Sequence, residues 1–148
     1  MTPAEHIRQN LEDCRLMQLA TVRDDRPWIC SVYYVPDDEQ RLYWLSKPER
    51  RHSQEIAEHA HVAVAIAVKH DKPVIGIQSE GKATVVEDAE TVKAVMELYV
   101  AKYGEGKDFY DNFVNGTNQH VLYCFTPERY VLFDEVHFPG GVGQEWRP

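Results

Sequence analysis

Between Val62 and Val68 the chain reads VAVAIAV, and this run limits the fold more than any other segment. In an extended strand successive side chains point to opposite faces. Valine and isoleucine therefore share one face, and Ala63, Ala65 and Ala67 share the other. Neither face presents polar atoms to water. The run predicts an interior strand buried on both faces, with the alanine face meeting something close.

Segments of the same character surround it. Leu16 to Val22 reads as a strand, Asp24-Asp25-Arg26 as a polar turn, and Trp28 to Val35, opened by Pro27, as a second strand. Asp37 to Gln40 turns the chain into a third strand, Arg41 to Leu45. Pro73 to Val86 reads as a long strand with Gly76 and Gly81 as candidate bulges. Gln119 to Phe125 and Arg129 to Phe133 read as two last strands broken at Thr126-Pro127. Short strands joined by tight polar turns predict an antiparallel meander.

Three or four helices lie between the strands. Thr2, Pro3 and Glu5 form a capping box with proline in the first turn, followed by Ile7, Leu11 and Cys14 at helical spacing. Pro48 to Glu58 reads as a short helix with Ser46 as its cap. Asp88 to Tyr103 carries an apolar stripe and ends at Gly104. Phe109 to Val114 reads as a further short helix. The pattern predicts a mainly β fold, a closed or split β-barrel with peripheral helices. At 148 residues it predicts one domain over 1–148, with 135–148 an irregular C-terminal tail.

Composition excludes several functions. A net charge of -8, from 24 acidic and 16 basic residues, opposes broad nucleic-acid binding. No apolar run approaches the ~18 residues of a membrane span, and the N-terminus lacks a signal-peptide core. Cys14, Cys30 and Cys124 are odd in number and widely spaced, which predicts reduced thiols and a cytoplasmic address. Of seven histidines only His59 and His61 are close-set, and no metal motif is present, so the sequence predicts no metal site.

One basic cluster stands out. Ser46-Lys47-Pro48-Glu49-Arg50-Arg51-His52 crowds cations at a helix start, where the helix dipole disfavours them by about 0.3–1 kcal/mol each. An anion would resolve the conflict, because helix N–H groups, guanidinium forks and the Ser46 hydroxyl would converge on it. The alternative is a solvated basic turn paired with Glu49 and Glu55. Gly76 and Gln78 share a strand face, where glycine admits a flat ring and the amide both donates and accepts. The alternative there is a bulge beside an exposed glutamine. Cys30-Ser31-Val32 either presents backbone polar groups to a flat ligand or is plain core. Gly140-Gly141-Val142-Gly143 follows no strong strand and opens no helix, and reads as tail. No general acid or base and no nucleophile is evident.

Taken together, LATVRDDRPWICSVYYV, RLYWLSKPERRHSQEIAEHAHVAVAI and GIQSEGKATVV resemble, in order and spacing, the pyridoxamine 5′-phosphate oxidase-like family of FMN-binding split barrels. The resemblance runs to about Val86 and more weakly to Phe138. It implies a six-stranded antiparallel split barrel and a homodimer with FMN at the subunit interface. It implies that Ser46, Arg51 and His52 hold the phosphate with Arg50 nearby. Cys30, Ser31 and Val32 would line the flavin ring through their backbone, and Gln78 would meet its polar edge. The true oxidases bind substrate through an arginine- and histidine-bearing segment near the C-terminus. Here that region reads LFDEVHFPGGVGQEW and does not match, which implies a different small-molecule substrate. The alternative cofactors are another flavin, or the deazaflavin or haem that some relatives bind. The expected function is an FMN-dependent oxidoreductase, with a non-catalytic flavin- or haem-binding protein as the alternative.

Overall fold

The computed structural model describes residues 1–148. Helix α1 (Pro3–Asp13) opens with the predicted capping box: Glu5 N–H donates to Thr2 Oγ1 at 3.2 Å and Thr2 N–H to Glu5 Oε2 at 2.7 Å. Its Ile7 and Leu11 are buried. Strand β1 (Leu16–Arg23) turns back on β2 (Arg26–Tyr33) through Asp24 and Asp25, both at positive φ. Two left-handed residues give the hairpin twist that matches paired strands, and aspartate tolerates that region better than most side chains.

The chain continues through β3 (Val35–Pro36), β4 (Leu42–Ser46), α2 (Arg51–Glu58), β5 (His61–Lys69) and β6 (Ile75–Val85). Then come α3 (Ala89–Tyr103), α4 (Lys107–Val114), β7 (Val121–Asp134) and β8 (Gln144–Trp146). All pairings are antiparallel, in the order β2-β1-β5-β6-β7-β4-β3, with β8 added to β7. Strands β2 and β3 lie at opposite ends of that order, yet only Tyr34 separates them in the chain. The two ends of the sheet must therefore meet, and the sheet curls into a split barrel. Tyr34 is fully buried there and its hydroxyl donates to the Leu11 carbonyl at 2.8 Å.

The barrel interior holds Met17, Leu19, Trp44, Ile66, Ile77 and Phe125 around α1. A smaller apolar cluster, including Val95, Met96 and Phe113, seats α3 and α4 against β4 and β7. The mainly β split barrel with peripheral helices is as expected; eight strands replace six. No helix is long and apolar enough to cross a membrane.

Four local expectations are corrected. The two last strands are one, β7: Thr126 and Pro127 pair with Lys82 and Gly81, next to a bulge at Glu128 where a missing N–H is tolerated. The tail is not wholly irregular: Trp146 pairs with Tyr130 and stacks on its ring at 6.2 Å. Helix α2 begins at Arg51, three residues later than expected, and Arg50 rather than Ser46 occupies its cap position. On β5, Val62, Val64 and Ile66 are buried but Ala63, Ala65 and Ala67 are exposed in the single chain. Nothing in this chain folds over the alanine face.

Candidate functional site

Strand β4 ends at Ser46, and the turn through Lys47 to Arg50 leads into α2. The first intrahelical bond, Gln54 N–H to the Arg50 carbonyl, leaves the N–H groups of Arg51, His52 and Ser53 without helical acceptors. No side chain caps them. Across from this end run the outer edge of β2, Tyr99 of α3, Phe109 of α4, and Asn118 and His120 before β7. Together these enclose a cavity of about 370 Å³. Its lining contains Lys47, Arg50, His52 and His120 but no carboxylate, in a chain of net charge -8.

Ser46 and His52 are both buried, and Ser46 Oγ lies 2.8 Å from His52 Nε2. Burial, reinforced by the Arg50 charge and partly opposed by Glu55, holds the His52 imidazole below its ordinary pKa. Both burial and the neighbouring guanidinium thus favour the neutral ring. Glu55, one helical turn beyond Arg51, is a buried carboxylate. It accepts from Arg51 Nε at 2.7 Å and Thr21 Oγ1 at 2.9 Å. Burial pushes its pKa up, but these hydrogen bonds and the charges of Arg51 and Arg23 outweigh that and leave it below the usual 4.5. A depressed carboxylate contributes stability that is present above the unfolded pKa and lost as pH falls through the folded one. Urea unfolding below pH 4.5 should show falling stability, and Glu55→Gln should flatten part of that slope.

The structure divides the sequence-predicted site residues. Ser31, Val32, Ser46, Arg50 and His52 line the one cavity. Arg51 does not: its guanidinium is committed to Glu55 and lies 4.3 Å over the Trp28 ring. Cys30 alternates inward and packs against the barrel core, where burial raises its thiol pKa. Gln78 lies on the sheet's outer face, in a groove of about 360 Å³ with Gln18, Ala63, Ala65 and Ile29. The two hollows adjoin. Ile29, Ser31 and Tyr33 share one face of β2, and Gln18 Nε2 of the groove reaches Ser31 Oγ of the cavity at 3.5 Å. Tyr99, Phe109, Asn118 and His120 were not legible as site residues, because nothing local to 99–120 signals that α3 and α4 fold over residues 31–52.

The eight-stranded split barrel thus carries, beside a helix N-terminus, a cavity lined by basic side chains and no carboxylate. The profile of the pyridoxamine 5′-phosphate oxidase family matches residues 3–133, and the chain belongs to that family. No curated protein matches the sequence. Several solved structures share the fold. A conserved hypothetical protein from Mycobacterium tuberculosis aligns with a TM-score of 0.77 at 22% identity, over 92% of this chain and 86% of that one. General Stress Protein 26 from Bacillus anthracis gives 0.71 at 18% identity over 100% of both chains. HutZ, described as the haem storage protein of Vibrio cholerae, gives 0.69 at 20% identity over 90% and 95%. At these identities the likeness establishes fold alone.

Proposed function

We propose that this chain binds FMN as a homodimer and acts as a flavin-dependent oxidoreductase on a small molecule, in the cytoplasm. The observation that carries the reading is the carboxylate-free cavity lined by Ser46, Lys47, Arg50 and His52 beside the uncapped N-terminus of α2. That donor set suits a phosphate dianion. The adjoining groove suits the rest of a flavin. Its ring would lie along the β2 edge beside Cys30, Ser31 and Val32, and Gln78 would meet its polar rim. Arg51 supports the grip by fixing α2 to Glu55 and Trp28. Bound flavin would supply the electron transfer, and the chain would supply position and electrostatics.

The open alanine face supports the dimer. Ala63, Ala65 and Ala67 with Ile29, which is 62% exposed, form an apolar surface bordered by Gln18, Gln78 and Glu80. Each hollow lies at the small end of the ~300–1,000 Å³ typical of ligand pockets, so a second copy closing over the face would complete an enclosed site. The non-catalytic reading, a flavin or haem carrier, is favoured by one feature: the cavity's two imidazoles, His52 and His120, are partnered by Ser46 and Asn118 and form no acid–base pair.

The absorbance spectrum of the purified protein, with an FMN titration, tests the reading. Flavin bands that survive gel filtration support it, and a Soret band would assign haem instead. Arg50→Ala should weaken FMN by about 10- to 100-fold, the loss of one charge-assisted contact of about 1.5–3 kcal/mol. Riboflavin, which lacks the phosphate, should be affected far less. Equal weakening of both ligands would overturn the phosphate assignment. Reduction of bound FMN by NADH or NADPH, with turnover on an acceptor, separates enzyme from carrier.

A further inference from the structure

Three residues from two distant segments meet where the first turns of α1 pass the end of β7. They are His6 on the helix, Asp134 at the last position of the strand and His137 in the turn that follows. One ligand-capable atom from each lies within 4.8 Å of the others. We propose that His6, Asp134 and His137 form a binding site for a divalent transition metal ion, Zn²⁺ in the first instance, with its remaining coordination positions open to solvent.

Asp134 anchors the site. Its side chain is only 1% exposed. Oδ1 accepts the backbone N–H groups of Val136 and His137, each at 2.9 Å, so the carboxylate cannot swing away. Oδ2 is thereby aimed at the imidazoles, 2.8 Å from His137 Nδ1. His137, 47% exposed, is Asp134's one side-chain partner; no lysine or arginine pairs with this buried carboxylate. A cation seated among the three side chains would be compensated by it directly.

The imidazoles are placed to share such an ion. The His6 and His137 rings lie 4.2 Å apart between centroids, tilted by 33°, and Phe138 closes the other side of His6 edge-on at 5.6 Å. Turn geometry alone accounts for Asp134 and His137, since Asp134 caps that turn. It does not account for a second imidazole brought onto the pair from α1. Two nitrogens and one carboxylate oxygen, without thiolate, suit Zn²⁺ and similar divalent ions rather than copper(I) or iron–sulfur clusters. Three protein ligands also leave the fourth tetrahedral position free. With metal–ligand bonds of about 2.0–2.2 Å, tetrahedral donors stand about 3.4 Å apart, so the exposed His137 ring would exchange its 2.8 Å hydrogen bond to Asp134 for the ion and move slightly outward, while the half-buried His6 ring turns toward them. This site does not depend on the FMN reading.

The test uses untagged, metal-stripped full-length protein. Zn²⁺ is titrated by calorimetry, and Co²⁺ is titrated by its ligand-field absorbance. One ion per chain with micromolar or tighter affinity is expected. Loss of outer-shell groups alone costs metal sites about 10–100-fold, so His6→Gln and His137→Gln should each weaken binding at least that much. His61→Gln, at the exposed His59–His61 pair, should leave it unchanged. At a hundredfold excess over Kd, Zn²⁺ should raise the wild-type Tm by about 5–10 °C, a shift lost in His6→Gln. Melting the metal-free variant beside the metal-free wild type separates lost binding from lost folding, because only lost binding removes the Zn²⁺-dependent increment while leaving a cooperative transition. Absence of binding at millimolar Zn²⁺, or binding abolished by His61→Gln but not by His6→Gln, would overturn the site.

Discussion

Gly81→Ala should lower stability by about 3 kcal/mol or more, whereas Gly76→Ala on the same strand should cost under about 1.5 kcal/mol. At Gly81 an added Cβ would stand 2.1 Å from the Thr126 carbonyl oxygen and 3.0 Å from Pro127 Cα. Both are backbone atoms of the neighbouring strand and cannot rotate aside. Relief would require β6 and β7 to separate at their bulge, and that pairing runs from Ile75–Asp134 to Val85–Tyr123 through the middle of the sheet. At Gly76 the nearest atom, the Ile66 carbonyl oxygen, would be at an ordinary 3.7 Å. Urea midpoints of the two variants check this directly. Equal midpoints would mean that the bulge yields easily and that Gly81 is not required for close approach.

If the proposed dimer closes over the alanine face, Ala65→Arg should convert it into a monomer, raising its dissociation constant by at least about 100-fold, or roughly 2.7 kcal/mol. Ala65 lies mid-strand on the open face of β5, paired with Gln18 on one side and Gln78 on the other. In the free chain an arginine there reaches water, so the monomer's own stability should change little. In a dimer closed over that face the same guanidinium is desolvated with no carboxylate among its paired neighbours. Sedimentation velocity across a concentration series reads the mass, and FMN titration of the same variant should show weakened binding if the second subunit completes the site. A dimer that survives the substitution would place the interface on another surface.

The sequence carried the local elements well because their signals are local. The Thr2–Glu5 capping box, the Asp24-Asp25 turn and the Asp88-to-Gly104 limits of α3 are each set by residues within a few positions of one another. Its errors fell where distant pairing overrides local chemistry. Thr126-Pro127 looks like a strand end until β6 pairs on both sides of it and the extra residue, Glu128, bulges out of β7. Gln144–Trp146, after the Gly-rich stretch, looks like irregular tail until β7 offers it a partner.

The basic turn was legible as a charge conflict at a helix start, and it is the part of the candidate cavity that sequence proximity places together. Within it, Arg50 and Arg51 were not distinguishable. Helical phase decided between them: Arg51 falls one turn before Glu55 and is neutralised, while Arg50 at the cap position faces the cavity. The Val/Ala alternation determined, from sequence alone, a strand with two apolar faces. Only the tertiary structure showed that this chain covers the valine face and leaves the alanine face open. The reason is physical: alternation specifies which side chains share a face, but what packs on that face depends on contacts between segments far apart, or between chains, that no local pattern encodes.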